Sequence, residues 1–236
     1  MQCVILAGGL ATRMRPLTEK IPKSLLPVAG RPFLDHQLEW LAGHGVSDVV
    51  LCVGYRADAI RAHAGDGARY GLRIRYVDEG DRLRGTAGAV RLAFDEGALE
   101  ESFLVTYGDS FLPIDFAAVF AAFVASGKPA LMTVFLNHGQ YDTSNAIFDG
   151  RTVLYDKKRA TRPAADFHYI DYGLTALSRR VLADAIPSGV VADLATLFHD
   201  LSVRGELAGL EIPDRFYEIG SPAGLEDLER WLQRGG

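Results

Sequence analysis

The stretch "VILAGGLATRMRPLTEKIPKSLLPVAG", residues 4–30, decides how this chain is read. A short apolar run ends in Gly8-Gly9. Arg13, Arg15, Lys20 and Lys23 follow, on a segment that Pro16 and Pro22 keep from forming one helix. Glycines let backbone amides come close to a ligand, which suits anionic oxygens. Arg13 can hold a phosphate through two parallel hydrogen bonds, and Lys23 would act as a point charge. The glycines alone fit a plain turn with solvated basic residues equally well. Glycines, Arg13 and a Pro-Lys pair together favour phosphate. Two familiar phosphate loops are absent: the spacing after Leu6 is not G-x-G-x-x-G, and no G-x-x-x-x-G-K-[ST] follows a strand.

The cations of this loop are a local feature, because the chain carries a net charge of −5. That balance disfavours a nucleic-acid-binding domain of the usual basic kind. A hydrophobic content of 48% with 23% charged residues is that of a globular chain able to bury a substantial core. The chain starts almost at once with "QCVIL", with no charged leader and cleavage site ahead of it. The longest apolar run, "FAAVFAAFVA" (116–125), is too short to span a bilayer. With Asp115 as an N-cap and Gly127 as a stop it reads as a buried helix. Cys3 and Cys52 lie in apolar strand-like runs and read as reduced core residues. The expectation is a cytoplasmic protein with neither a nucleic acid nor a membrane as partner.

Outward from the opening loop, strands alternate with helices. "FLDHQLEWLAGHG" carries Leu34, Leu38 and Leu41 at helical spacing. "DVVLCVGY" reads as a strand, "ADAIRAHAG" as a helix, "LRIRYVDEG" as a strand and "GTAGAVRLAFDEG" as a helix. "SFLVTYGDS", the helix at 115–127 and "PALMTVFL" continue the series. Such alternation predicts a Rossmann-like α/β fold, with a mainly parallel sheet flanked by helices. Right-handed crossovers then gather the strand-to-helix loops on one edge, where such sheets bind ligands. After residue 136 the pattern changes. "NAIFDGRTVLYDKKR" reads as a hairpin turning at Asp149-Gly150, and "DFHYIDYGLTALS" as a further strand. A helix at 193–203, a strand near "LAGLEI" and a final helix at 222–234, capped by Ser221-Pro222, complete the reading. No linker, repeat or low-complexity segment interrupts it. We expect a single domain over 1–236, with an α/β core over 1–135. Residues 136–236 would form a small β-rich lobe, inserted over the sheet edge, and the C-terminal helices.

"LAGGLATRMRPLT" (6–18) with "IPKSLLPVAGRPF" (21–33) closely resembles the signature of the sugar-1-phosphate nucleotidyltransferases, which join a nucleoside triphosphate to a sugar phosphate. The similarity continues in order through "GTAGA" (85–89), "YGDS" (107–110), "YIDYG" (169–173) and "YEIGSP" (217–222), so it covers nearly the whole chain. The short members, without a C-terminal β-helix or acyltransferase domain, are most similar, and the heptose-1-phosphate guanylyltransferases most of all. The resemblance implies the following roles. Leu6, Ala7, Gly8 and Gly9 contact the nucleoside; Thr12 and Arg13 hold the triphosphate; Gly85 and Thr86 face base and ribose. Arg13, Lys23 and Asp109 are the catalytic set. Asp109 and Glu218, the latter where the family usually has Asp, bind Mg²⁺. Asn145, Asp156, Lys157, Asp171 and Gly173 line the sugar-phosphate pocket, with Lys158 and Arg159 making the register of Lys157 ambiguous by one residue. The chain departs from the family at Ala11, where many members have glycine, and at Arg84, which intervenes before Gly85-Thr86.

Some of these positions also stand out without the resemblance. Asp109 follows a buried strand and would lie at the ligand edge, although Asp favours turns there in any case. Asp171 is set among strand-forming apolar residues, an awkward place for an acid without a partner. The six histidines show no metal-ligand spacing; His168 alone lies beside the sugar segment. A phosphate monoester has a second pKa of about 6, so its oxygen is ionised near neutrality and needs no general base. Alignment and charge neutralisation are then the protein's task. The resemblance implies GTP and a heptose 1-phosphate as small-molecule substrates, in a monomer or homodimer. Uridylyl or cytidylyl transfer onto another sugar 1-phosphate or phosphocholine is an alternative, the last favoured by Tyr169 and Tyr172 as a cage for a quaternary ammonium. A nucleotide-sugar sensor without turnover is another.

Overall fold

A computed structural model describes residues 1–235, with Arg13 in its backbone only, so the roles expected of the Arg13 side chain lie outside the described residues. In chain order the elements are β1 (Gln2–Leu6), β2 (Pro27–Val28), β3 (Arg31–Pro32), α1 (Phe33–Gly43), β4 (Asp48–Val53), α2 (Ala57–Ala64), β5 (Arg73–Asp78) and α3 (Gly85–Asp95). Then come β6 (Ser102–Tyr107), β7 (Ser110–Phe111), α4 (Phe116–Ser126), β8 (Ala130–Leu136), β9 (Ala146–Phe148) and β10 (Val153–Tyr155). The chain closes with β11 (Tyr169–Ser178), α5 (Arg179–Ala185), α6 (Leu194–Val203), β12 (Leu207–Glu211), β13 (Tyr217–Glu218) and α7 (Pro222–Gln233).

The apolar runs become strands because the sheet is covered on both faces. Along β1, Cys3 and Ile5 enter one core while Val4 enters the other, and β4 divides Val49, Leu51 and Val53 from Val50 and Cys52 in the same way. Two buried faces need apolar residues at every strand position, hence continuous rather than alternating hydrophobicity. Helices α1, α2 and α4 cover one face through Leu38, Ile60 and Val119; α3, α5 and α6 cover the other through Val90, Leu182 and Phe198. Both cysteines are buried and unpaired, as expected, and burial pushes both thiols up. The helix caps also stand where they were expected. Asp115 accepts from the Ala117 and Ala118 amides, Gly127 ends α4 at φ +62°, and Ser221 accepts from the Gly224 amide.

The expected fold class holds: β5, β4, β1 and β6 run parallel in one sheet, matching the strand–helix alternation. The second half extends that sheet. β11 lies antiparallel to β6 and to β8, β12 runs parallel to β8, and the β9–β10 hairpin joins through Tyr169 and Ala146, giving nine strands in all. Helix α5 and the two-strand ladders β2–β3 and β7–β13 have no counterpart in the sequence reading. Two-residue strands carry no periodicity, and the partners of the β7–β13 ladder are remote in the chain. The β7–β13 ladder decides the site. It aligns Ser110 with Glu218, and the Ile219 amide donates to the Asp109 carbonyl at 2.9 Å. Beneath it Phe111, Tyr217, Ile219 and Leu228 form a third core with Phe33. No described helix is long and apolar enough to cross a membrane.

Candidate active site

The carboxyl ends of β1, β4, β5 and β6 deliver Ala7, Gly54, Glu79 and Gly108 to one edge. Backbone bonds from Ala7 N to Cys52 O (2.8 Å), Gly108 N to Leu6 O (2.9 Å) and Tyr55 N to Gly8 O (3.3 Å) tie these exits together. A Cβ on Gly108 would lie 2.9 Å from that of Ala7, so glycine lets the two loops touch. The loop then turns at Ala11, which sits at φ +49°, ψ +40°, in the left-handed region that favours glycine. The substitution that distinguishes this chain from the family signature therefore keeps the glycine-like backbone, with Thr18 Oγ1 donating to the Ala11 carbonyl at 2.8 Å.

Lys23 and Asp109 meet directly: Nζ donates to Oδ2 at 2.6 Å, with side chains 15% and 31% exposed. They line a cavity of about 90 Å³ with Leu6, Ala7, Gly9 and Ser24. Glu218 joins from the other end of the chain through the β7–β13 ladder. Water reaches its side chain, yet the surrounding walls crowd the carboxyl. Desolvation first, and the charge of Asp109 second, push it up to about 7 against the opposing charge of Lys23. The charge of Asp109 therefore reaches the Glu218 carboxyl, which sets two acids beside one lysine. The pair fits a hard divalent cation that shares its coordination with phosphate and takes only one or two protein carboxylates. Among the described residues no three His, Cys, Asp or Glu side chains form a metal site unaided.

On the acceptor side a bulge in β11 between Asp171 and Thr175 brings Gly173, at φ +101°, against β7, where its Cβ would lie 3.8 Å from Ser110 Oγ. Asp171 finds a local partner, the Gly173 amide at 3.0 Å, while burial pushes its carboxyl up to about 6 and Lys157 opposes the shift. Asn145 knits the hairpin to β11: its Oδ1 accepts from the Asp171 amide at 2.9 Å and its carbonyl from the Asp156 amide at 2.8 Å. Glu218 feels the charges of Asp109, Lys23 and Asp171, and Lys157, which bears on Asp171, lines a neighbouring cavity of about 340 Å³ with Asp156, Lys158, Asp193 and His199.

Two expectations need correction. Asp156 is buried, and its carboxylate accepts from the amides of Lys158, Ala160 and Thr161 and from Thr161 Oγ1, all within 2.9 Å. Its capacity goes to folding the 157–161 loop, so it does not reach a sugar hydroxyl freely. Thr86, which lines a cavity with Gly85, donates through Oγ1 to Asp193 at 2.9 Å and accepts from the Leu194 amide at 2.8 Å, which fastens α3 to α6. Tyr169 and Tyr172 do not form a cage: Tyr172 is buried against Phe216 and Tyr169 packs on Phe148. His168 is exposed, and Thr12 lies exposed on the opening loop.

The Asp156 arrangement carries a prediction. Desolvation pushes its carboxyl up, but the Thr161 hydroxyl and the three loop amides outweigh it and bring it to about 2. A folded pKa below the unfolded one gives stability that is present above the unfolded value and lost as pH falls through the folded one. Asp156→Asn is expected to remove about 2 kcal/mol at pH 7 and to flatten the loss of stability between about pH 4 and 2. Urea titration at pH 7 and 2.5 checks this, and equal losses in both proteins would contradict it.

Sequence reasoning missed Glu79 and Asp193. Glu79 follows β5 at the same edge as Asp109, and an acid directly after a parallel strand is the signal that could have found it. It lines a separate cavity of about 240 Å³ with Leu6, Gly8, Gly9, Leu83, Gly85, Thr86, Ala89 and Tyr107. Asp193, the N-cap of α6, had no signal beyond its capping role.

Comparison with known proteins places this geometry. The chain is 34% identical over 236 residues to a glucose-1-phosphate thymidylyltransferase of Streptomyces antibioticus, with 98% of this chain and 65% of that protein covered. It is 28% identical over 229 residues to an N-acetylmuramate alpha-1-phosphate uridylyltransferase of Neisseria meningitidis, with 97% of each covered. Several relatives are longer: the chain spans 31% of a second thymidylyltransferase, from Streptomyces griseus, and 53% of a UTP–glucose-1-phosphate uridylyltransferase from Synechocystis. Its fold superposes on the crystal structure of HddC from Yersinia pseudotuberculosis complexed with GMP-PN, with a TM-score of 0.75 at 22% identity, over 98% of this chain and 99% of that one. The family described as Nucleotidyl transferase matches residues 2–147, the part that contains the glycine loop, Lys23, Glu79, Gly85 and Asp109. With that match and its relatives at full span, this chain belongs to the nucleotidyl transferase family.

Proposed function

We propose that the chain transfers a nucleoside monophosphate from a nucleoside triphosphate to a sugar 1-phosphate, releasing pyrophosphate, and that the pair is GTP with a heptose 1-phosphate. The observation that carries the reaction is the contact of Lys23 with Asp109 at the carboxyl edge of the sheet, with the charges of Glu218 and Asp171 beside them. Residues 1–135 would hold the nucleotide and 136–236 the sugar phosphate.

In this reading the phosphate oxygen of the sugar attacks the α-phosphorus in line, and pyrophosphate leaves from the opposite side. The attacking oxygen is already ionised, so no side chain has to remove a proton. Lys23 leaves Asp109 for the α-phosphate, and Lys157 holds the sugar phosphate in register. A Mg²⁺ ion held by Asp109 and Glu218 would supply charge neutralisation when bound. The opening loop offers its amides to the triphosphate, with Arg13 as a further cation. Asp171 and the Gly173 bulge shape the sugar pocket. Uridylyl or cytidylyl transfer is the second reading, favoured by the end-to-end match to a uridylyltransferase and by cytidylyltransferases among the relatives.

The test is pyrophosphate release in Mg²⁺ with each common nucleoside triphosphate and a panel of heptose, mannose, glucose and N-acetylmuramate 1-phosphates. Release that requires one nucleotide and one acceptor is the expected result. Release with no acceptor dependence would overturn the transferase reading in favour of a hydrolase that uses water as acceptor, and no release across the panel from protein that binds a nucleotide would overturn it in favour of a sensor.

A further inference from the structure

Asp109 sits in a turn whose two flanks are held by one side chain from α1. The amide nitrogen of Gln37 donates to the Tyr107 carbonyl at 2.9 Å and to the Ser110 carbonyl at 2.8 Å. Tyr107 ends β6 and Ser110 begins β7, so the two bonds bracket Gly108 and Asp109. Gln37 is buried, and Leu34, Leu38 and Leu41 of the same helix are set in a hydrophobic core, so a rigid element delivers the amide. Both acceptors are carbonyls, which fixes the nitrogen on the turn and leaves Oε1 for a different partner. That oxygen finds none among the described residues. A cavity of about 10 Å³ is lined by Gln37, Trp40, Thr106 and Ser110, with apolar walls from Leu41 and Leu112. Trp40 Nε1, Thr106 Oγ1 and Ser110 Oγ are likewise buried without a partner among the described residues. The indole of Trp40 is packed by Phe111 and Trp231, with ring centroids 5.4 and 5.8 Å away.

We propose that Gln37 is the positioning residue of Asp109, and that one buried water in this cavity completes its bonding. The inference rests on the reading of Asp109 as the acid of the site and deepens it. Buried polar groups are nearly always paired, and a small cavity with two to four polar partners is where a protein keeps a water. The volume here suits one. Its hydrogens answer Gln37 Oε1 and one hydroxyl, and its lone pairs accept from Trp40 Nε1 and the other hydroxyl. The water ties the free end of the Gln37 amide to β6 through Thr106 and to β7 through Ser110. The Asp109 carbonyl is itself taken by the Ile219 amide, so the turn is clamped at Tyr107, Asp109 and Ser110. A carboxylate that has to meet Lys23 and a cation in one geometry needs such a frame, because small misplacements cost most of its effect.

The test compares the full chain with Gln37→Met, which keeps the length and removes both donors, and Gln37→Glu, which keeps the shape but turns acceptors on two carbonyls. Both are expected to lower kcat for pyrophosphate release by about 10–100-fold, Gln37→Glu the more. KM for the acceptor that the panel above selects should stay within about threefold of wild type, since the frame acts on the reacting geometry. Mn²⁺ binding, read by water-proton relaxation without any substrate, should weaken by about tenfold or more. Circular dichroism and thermal melting show that the variants are folded at the assay temperature; if Gln37→Glu is not, Gln37→Met carries the test. A merely structural role would lower Tm and leave kcat and Mn²⁺ affinity of the folded protein unchanged. That result overturns the positioning role while leaving the nucleotidyltransferase reading standing. A crystal structure of wild type should show one ordered water within hydrogen-bond distance of Gln37 Oε1 and Trp40 Nε1, and a dry cavity overturns that part. Wild type that neither binds Mn²⁺ nor releases pyrophosphate overturns both readings together.

Discussion

Asp109→Ala is expected to lower turnover by about a hundredfold or more while the protein stays folded, with Lys23→Ala doing the same. Both residues lie at the mouth of the cleft, and neither belongs to a hydrophobic core cluster. Their own contact contributes little to stability, because a pair with this exposure is partly screened by water. The two variants should differ at Glu218. The charge of Asp109 raises the Glu218 carboxyl and that of Lys23 lowers it. Asp109→Ala should therefore bring the Glu218 pKa down from about 7, and Lys23→Ala should carry it higher still. Steady-state pyrophosphate release gives the rates, and carboxyl-labelled NMR titration gives the pKa. Unchanged rates in both variants would sink the assignment of the cleft; unchanged Glu218 titration would mean that the three groups do not share it.

Gly85→Ala is expected to be the most damaging single methyl in the molecule's ligand edge. Gly85 begins α3 at φ +72°, and an added Cβ would lie 2.4 Å from the carbonyl oxygen of Ala192. That same oxygen accepts from the Ala87 and Gly88 amides at 3.0 and 3.2 Å, so it satisfies the otherwise open first turn of α3. The methyl must either break this cap or force the backbone out of its left-handed conformation, which alone costs about 1–3 kcal/mol. We expect a loss of about 2–4 kcal/mol and a fall in Tm of roughly 5–10 °C. Nucleotide affinity should fall by about tenfold or more, because Gly85 and Thr86 line the same cavity as Glu79. Thermal melting with and without nucleotide separates the two effects. A variant that melts and binds like wild type would show that the α3 cap tolerates the methyl.

The sequence by itself determined the alternation of strands and helices, because a sheet buried on both faces requires uninterrupted apolar strands, as in "QCVIL" and "DVVLCV". It also determined the caps at Asp115 and Ser221, since these rest on neighbours in the chain. Tertiary structure alone decided which of the candidate residues are free to act. Asp156 looked like a sugar ligand until the loop amides occupied its carboxylate. Glu79 follows β5 in sequence, but only the fold stands it against Gly8 and lets the Arg84 amide hold one of its oxygens. Asp109 and Glu218 share a cleft only through a two-residue ladder between distant segments. Local pattern carries the information for burial and capping, whereas a carboxylate's availability depends on every donor the fold brings near it.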